Sequence, residues 1–495
     1  MTKFPDHVMS ERRSSIGSAS NASAATDAVS AEEMSVRGPA LLLLWAGAKW
    51  LVLSTVLGLL VSLKFHGPAL LSDYAWTSYG RLQPAFWNAL LYGFGLSTAW
   101  GSSMWMLARC GRTRLAFPSL AIGGGVLWNV GLLIGLIGIL KGDSTGHPLL
   151  ELPGYATPIM LAGCALVSVS LLSTIRTRQT GAMVPEQWFV MAAVLWFAWC
   201  YSTAQFLLTA APVRGIMQSI VAWWFGAQLM WVVLSFFVFA LLWHLLGHLL
   251  ASDRLERGLV LVFFWMSIAF SGWRGIPLDA PVPAWMPSVS TVFSVLSLVP
   301  FIALVMFLKR TVSGGIGRLL SSGVGIATLV GGLFYVAALA LGILQSWPSF
   351  GGRVAFTFFG PGLQALMIYG AVGSVLLGAA RMILSRIFGD GVQSIAASST
   401  PVLLWLAGVA IHAIPLMVGG WAQGGAMADP QLTFMEAFKS GLMALRVSTL
   451  GDLLLVAAAV VFFFQFLKGW MAACRSCCLP VAREALATES VEVAQ

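Results

Sequence analysis

The chain has 495 residues, of which 58% are hydrophobic and 9% charged. A water-facing domain carries roughly a quarter charged residues, so a soluble globular protein is excluded. The formal net charge of +9 would suit nucleic acid, but the basic residues are segregated between two alternating sets of loops. They are a signal of membrane topology, with no nucleic-acid partner expected.

In chain order, residues 1–38 are rich in Ser, Ala and small polar side chains and hold no apolar stretch, which predicts a disordered tail. No signal peptide is predicted, because the first apolar run starts too late and is too long. Residues 39–470 divide into apolar runs of about 20 residues, each enough to carry a helix across roughly 30 Å of hydrocarbon. The predicted spans are 39–63, 84–108, 116–140, 155–175, 187–211, 216–250, 257–273, 285–308, 319–344, 354–385, 399–421 and 449–470, and residues 471–495 form a second short tail. The expected fold is an all-α integral membrane bundle of twelve transmembrane helices in contact with lipid. One set of loops collects Arg37, Arg109, Arg112, Arg114, Arg176, Arg178, Arg254 and Arg257 among others. The other holds only Lys64, Arg81, Lys141, Arg214, Arg274, Arg353, Lys439 and Arg446. The positive-inside rule then places both termini in the cytoplasm.

The spans are poor in titratable groups. No Asp or Glu falls within the first eleven, Asp452 sits near the start of the twelfth, and Lys49 can snorkel from the first. That argues against a proton pump. Gly131 and Gly135 form a small-xxx-small pair, expected to serve packing within the bundle. His244 and His248 share a helix face, as metal ligands would, but the dipole at a helix C-terminus explains them without metal. His412 stands alone in the eleventh span and is expected to bond to a neighbour. The cluster Cys474, Cys477, Cys478 lacks the His of a c-type haem motif and the further ligands of a metal site, and is taken as incidental.

At the second span, Gly80-Arg81-Leu82-Gln83-Pro84-Ala85-Phe86-Trp87-Asn88-Ala89 resembles the G-R-L-R-P-L-H-T-N-A motif of subunit I of the cbb3-type cytochrome c oxidases, in the haem-copper oxidase family. The family's haem b ligand falls on Phe86. Val221-Ala222-Trp223-Trp224-Phe225-Gly226-Ala227 resembles V-Q-W-W-Y-G-H, whose copper histidine falls on Ala227. Phe264-Trp265 through Gly275 resembles a segment that puts the cross-linked tyrosine on Ser271 and the paired copper histidines on Pro277 and Leu278. In the tenth span the two haem-iron ligands fall on Leu363 and Ala365, in a register anchored by Gly370, Gly373, Gly378 and Arg386-Ile387-Phe388-Gly389. Val418-Gly419-Gly420-Trp421-Ala422-Gln423-Gly424 is similar to V-A-G-I-M-Q-G. The likeness covers roughly residues 40–470.

The resemblance implies a twelve-helix subunit I fold in a bacterial inner membrane, with membrane-anchored cytochrome subunits as partners. Haem iron and copper need donors that Phe, Ala, Pro and Leu side chains lack. The expectation is therefore a non-catalytic subunit without haem, copper or another cofactor, its cavity refilled by side chains such as Phe86. Two alternatives stand beside it. One is an active oxidase or oxidoreductase using unexpected donors such as His412. The other is a transporter or lipid-handling protein for neutral cargo.

Overall fold

The computed structural model describes residues 7–250, 257–278, 280–388 and 397–492, with side chains between residues 32 and 471 of those ranges. The regular elements among them are all helical. α1 (His7–Leu63) is already helical ahead of the predicted start of its span. The second span is one continuous helix made of α2 (Tyr79–Asn88), a π-helical stretch Ala89–Leu96 and α3 (Ser97–Gly111). Then come α4 (Pro118–Lys141), α5 (Thr157–Arg176) and α6 (Pro185–Gln205). α7 (Ile216–Gln228) runs through a π-helical Leu229–Leu234 into α8 (Ser235–Leu250). α9 (Arg257–Ser271), α10 (Trp285–Leu296), α11 (Leu298–Val312), the short α12 (Ile316–Leu320) and α13 (Gly323–Leu344) follow. α14 (Pro348–Val354) leads to α15 (Phe359–Ala365), which passes through a π-helical Leu366–Gly373 into α16 (Ser374–Phe388). α17 (Thr400–Met427) and α18 (Phe434–Glu492) end the chain.

Among the described residues, 10 helices are long and apolar enough to cross a membrane, so the predicted twelve is not reached on that criterion. The other two predicted spans correspond to α9, which has only 15 residues, and to Tyr79–Gly111, which carries Ser97, Thr98, Ser102 and Ser103 along its buried length. α18 also begins well before the predicted 449, because the polar residues Glu436, Lys439 and Arg446 continue the helix instead of forming a loop.

Burial separates centre from rim. The spans Ile216–Leu250 and Phe359–Phe388 are each 89% buried, whereas Trp285–Val312 is 33% buried and faces outward. Helices adjacent in sequence pack on one another, and α18 returns to lie along both α17 and α1. Lipid supplies no hydrophobic force between helices, so close packing through small residues holds the bundle. A Cβ on Gly163 of α5 would stand 2.6 Å from the Trp128 backbone nitrogen of α4 and 2.7 Å from the Gly124 carbonyl. The predicted Gly131–Gly135 pair likewise meets Met160 and Leu152 of the same chain, consistent with packing inside one bundle. Gly163→Val is expected to lower stability in detergent by about 1–3 kcal/mol, because backbone and not a flexible side chain must move. Gly123→Ala, where nothing lies within 4 Å of the new carbon, should leave the melting temperature unchanged or slightly raised.

Candidate functional site

The three long helices that carry Phe86, Ala227 and Leu363 with Ala365 each wind as a π-helix just after them. Phe86 precedes Ala89–Leu96, Ala227 precedes Leu229–Leu234, and Leu363 with Ala365 precedes Leu366–Gly373. A π turn costs good hydrogen-bond geometry and is frequent at functional sites, so the shared placement marks these three helices for attention. Phe86 is 4% exposed, its ring 4.6 Å from Trp87 and 6.0 Å from Tyr369. Gly58 of α1 makes room for it, since a Cβ there would lie 3.1 Å from the Phe86 ring. Two residues on, Asn88 donates to the Glu151 carboxylate at 2.7 Å. Burial pushes that loop carboxyl above its ordinary value, and the Asn88 bond opposes the shift.

Ala227, Ser271, Leu363 and Ala365 are buried as well. A Cβ on Gly275 would touch the Ala227 methyl at 2.7 Å, and Gly275 holds φ +108°, a conformation that suits glycine. The structure therefore brings Ala227 against the loop bearing Pro277 and Leu278. Those two residues line a cavity of about 300 Å³ together with Arg274, Trp231, Ser290 and Ser346. Arg274 is 4% exposed, its guanidinium 4.6 Å from the Trp231 ring centroid, and its Nε and Nη1 have no hydrogen-bond partner. In the register that the resemblance implies, the residues at the seven motif positions do not fit haem iron or copper as ligands: Phe, Ala, Pro and Leu side chains carry no lone pair, and Ser271 offers only a hydroxyl.

The polar chemistry lies beside these positions. His412 of α17 sets its Nδ1 2.9 Å from Asp452 Oδ1 of α18, off the line of a good hydrogen bond. Asp452 is 1% exposed and its Oδ2 has no hydrogen-bond partner. The Tyr369 ring stands edge-on to His412 at 5.9 Å, with its hydroxyl unpartnered. Thr449, one turn from Asp452, meets His66 at 3.0 Å and the Ser62 carbonyl at 3.4 Å. Because α18 starts early, Asp452 lies midway along the span Phe434–Met471 and against the middle of α17, shielded, and not at the start of a span as the sequence suggests. His412 has a close neighbour on another helix, but its Nδ1 does not make the expected hydrogen bond.

His244 and His248 do not converge. His244 meets Glu186 and Cys110, and His248 faces Arg386 at 3.0 Å. Cys474, Cys477 and Cys478 lie outside the residues whose side chains are described. Sequence spacing could not reveal the Cys110–Glu186–His244 group, whose members are separated by 76 and 134 residues. Tyr369 and Arg274 were missed for the same reason: nothing local marks them.

A bundle with this burial pattern and these apolar spans defines an integral membrane protein built of helices. The chain matches the family described as cytochrome c and quinol oxidase polypeptide I over residues 38–454, and it belongs to that family. It is 22% identical to the cbb3-type cytochrome c oxidase subunit CcoN1 of Stutzerimonas stutzeri over 432 residues, covering 84% of this chain and 91% of that one. A cytochrome c oxidase subunit 1 homologue of Azorhizobium caulinodans is 21% identical over 436 residues, 83% of this chain and 78% of the other. Among solved structures, a heme-copper terminal oxidase dimer superposes with a TM-score of 0.65 at 13% identity, over 86% of this chain and 84% of its counterpart, which shows the shared fold.

Family membership corrects the expectation that the chain needs no cofactor. The family is one of haem- and copper-binding subunits, and apolar motif positions do not remove donors elsewhere in the fold. Cys110, Glu186 and His244 are such donors, with ligand atoms all within 4.8 Å of one another.

Proposed function

We propose that this chain is a non-catalytic subunit I-type membrane subunit of a respiratory, cytochrome oxidase-type complex. The carrying observation is the burial of apolar side chains at Phe86, Ala227, Leu363 and Ala365 within an otherwise retained frame. Pro277 and Leu278, where that family frame places copper histidines, stand beside Arg274, whose Nε and Nη1 have no hydrogen-bond partner among the described residues. What this reading excludes is dioxygen reduction at those positions. Haem and copper belong to the family, and in this chain other residues would have to hold them. Counting α9 and Tyr79–Gly111 as spans gives twelve crossings, with tails 1–38 and 471–495 on the cytoplasmic face of a bacterial inner membrane. The outer flanks of such a bundle suit membrane-anchored cytochrome subunits.

The test is affinity purification of the chain from its native membrane, with haem b and copper measured per chain and oxygen uptake followed with reduced cytochrome c and with quinol. The expected result is co-purification with cytochrome-bearing subunits and no cyanide-sensitive oxygen uptake by the isolated chain. Cyanide-sensitive turnover by the isolated chain would restore the active-oxidase alternative, with His412 the first donor to mutate.

A further inference from the structure

We propose that Cys110, Glu186 and His244 form a binding site for a divalent, zinc-like metal ion at one end of the bundle. Three helices supply one donor each: Cys110 near the end of α3, Glu186 in the first turn of α6, and His244 in the last turns of α8. Cys110 Sγ lies 3.6 Å from His244 Nδ1 and 3.8 Å from Glu186 Oε1, and the last two atoms are 3.5 Å apart. In a tetrahedral centre with Zn–S near 2.3 Å and Zn–N or Zn–O near 2.0 Å, sulfur stands about 3.5 Å from either lighter donor, and those two stand about 3.3 Å apart. The three observed separations are the edges of such a tetrahedron, a little expanded.

The donor set selects the ion. Thiolate and imidazole favour zinc over the hard cations magnesium and calcium, and thiolate plus carboxylate balance a 2+ charge in a shielded place. Binding displaces the thiol proton of Cys110 to solvent and leaves imidazole neutral. Nearby basic groups do not compete for the carboxylate. Arg109 pairs with Glu33 at 2.7 Å and lies over Trp105, and Arg386 faces His248. Trp105 sets its ring edge-on to His244 at 6.0 Å and helps fix the imidazole plane. Glu186 also gains from the positive end of α6. That explains a carboxylate at this place but not the arrival of a thiol and an imidazole from two other helices. Among the described residues no fourth His, Cys, Asp or Glu joins the group, so the fourth position would fall to water.

The test uses the full-length chain, free of any affinity tag, with Cys474, Cys477 and Cys478 changed to serine so that they bind no metal. After treatment with a chelator, Co²⁺ is titrated and the thiolate-to-cobalt charge-transfer band is read as a difference spectrum. One Co²⁺ per chain is expected, displaced by Zn²⁺, with the band absent in Cys110→Ser. Glu186→Gln keeps the shape of the side chain and should weaken Co²⁺ about 10-fold or more while the melting temperature of the metal-free chain is retained. A chain that shows no charge-transfer band, or a band of full strength in both Cys110→Ser and Glu186→Gln, would overturn the site and leave a hydrogen-bonded cluster.

Discussion

Asp452→Leu is expected to destabilise the chain by about 3–5 kcal/mol, and His412→Leu by a similar amount, while the double variant recovers most of the loss. Each single change strands one member of a buried pair, whereas removing both replaces two desolvated polar groups with apolar volume. Relaxation cannot soften the single changes. A Cβ on Gly451 would lie 2.3 Å from the His412 backbone nitrogen, and one on Gly408 would lie 3.1 Å from the Gly451 carbonyl, so α17 and α18 are already at backbone contact. Water cannot readily enter such a seam to solvate a lone carboxylate. The measurement is a double-mutant cycle on thermal or denaturant unfolding in one detergent. Additive losses, with no coupling between the two positions, would show that the 2.9 Å approach contributes nothing to stability.

The amphiphilic character of the chain made most of the fold legible. Apolar runs interrupted by basic loops locate helices such as α4, α5 and α13 within a few residues. The pattern failed where polar residues sit inside a helix that packing holds together. Lys439 and Arg446 read as a loop, but the helix persists there because Gly441 seats against Gly419 of α17, and Arg446 reaches the Phe65 carbonyl at 3.1 Å. The same limit governed the site. The motif frame could be read from ordered short stretches, which locate Phe86 or Ala227 along the chain. The polar side-chain pairings join residues far apart, as in Cys110 with His244 or His412 with Asp452, and no local period encodes them. Inferring an absent cofactor from the motif positions alone failed for this reason: it counted the donors that were missing and could not see those the fold gathers elsewhere.

Phe86→Ala is the most direct probe of the proposal that a packing side chain stands at a haem-ligand position. If the phenyl ring fills the core, its removal should cost about 3–5 kcal/mol, the lost transfer energy of the ring plus the cavity it leaves. The surroundings favour the upper part of that range, because the ring touches the rigid Trp87 and Tyr369 rings and is backed by Gly58, where α1 comes close enough that a methyl group would collide with it. None of these neighbours can move in cheaply. Phe86→Leu, which keeps most of the volume, should cost less than about 1.5 kcal/mol. A loss under about 1 kcal/mol for the alanine variant would mean that the ring borders space already open to water, lipid or a bound group. Position 86 would then line an occupied pocket, and a haem measurement on that variant would become the decisive comparison. A full loss would instead support the proposal that position 86, just ahead of the π-helical stretch Ala89–Leu96, serves packing and not ligation.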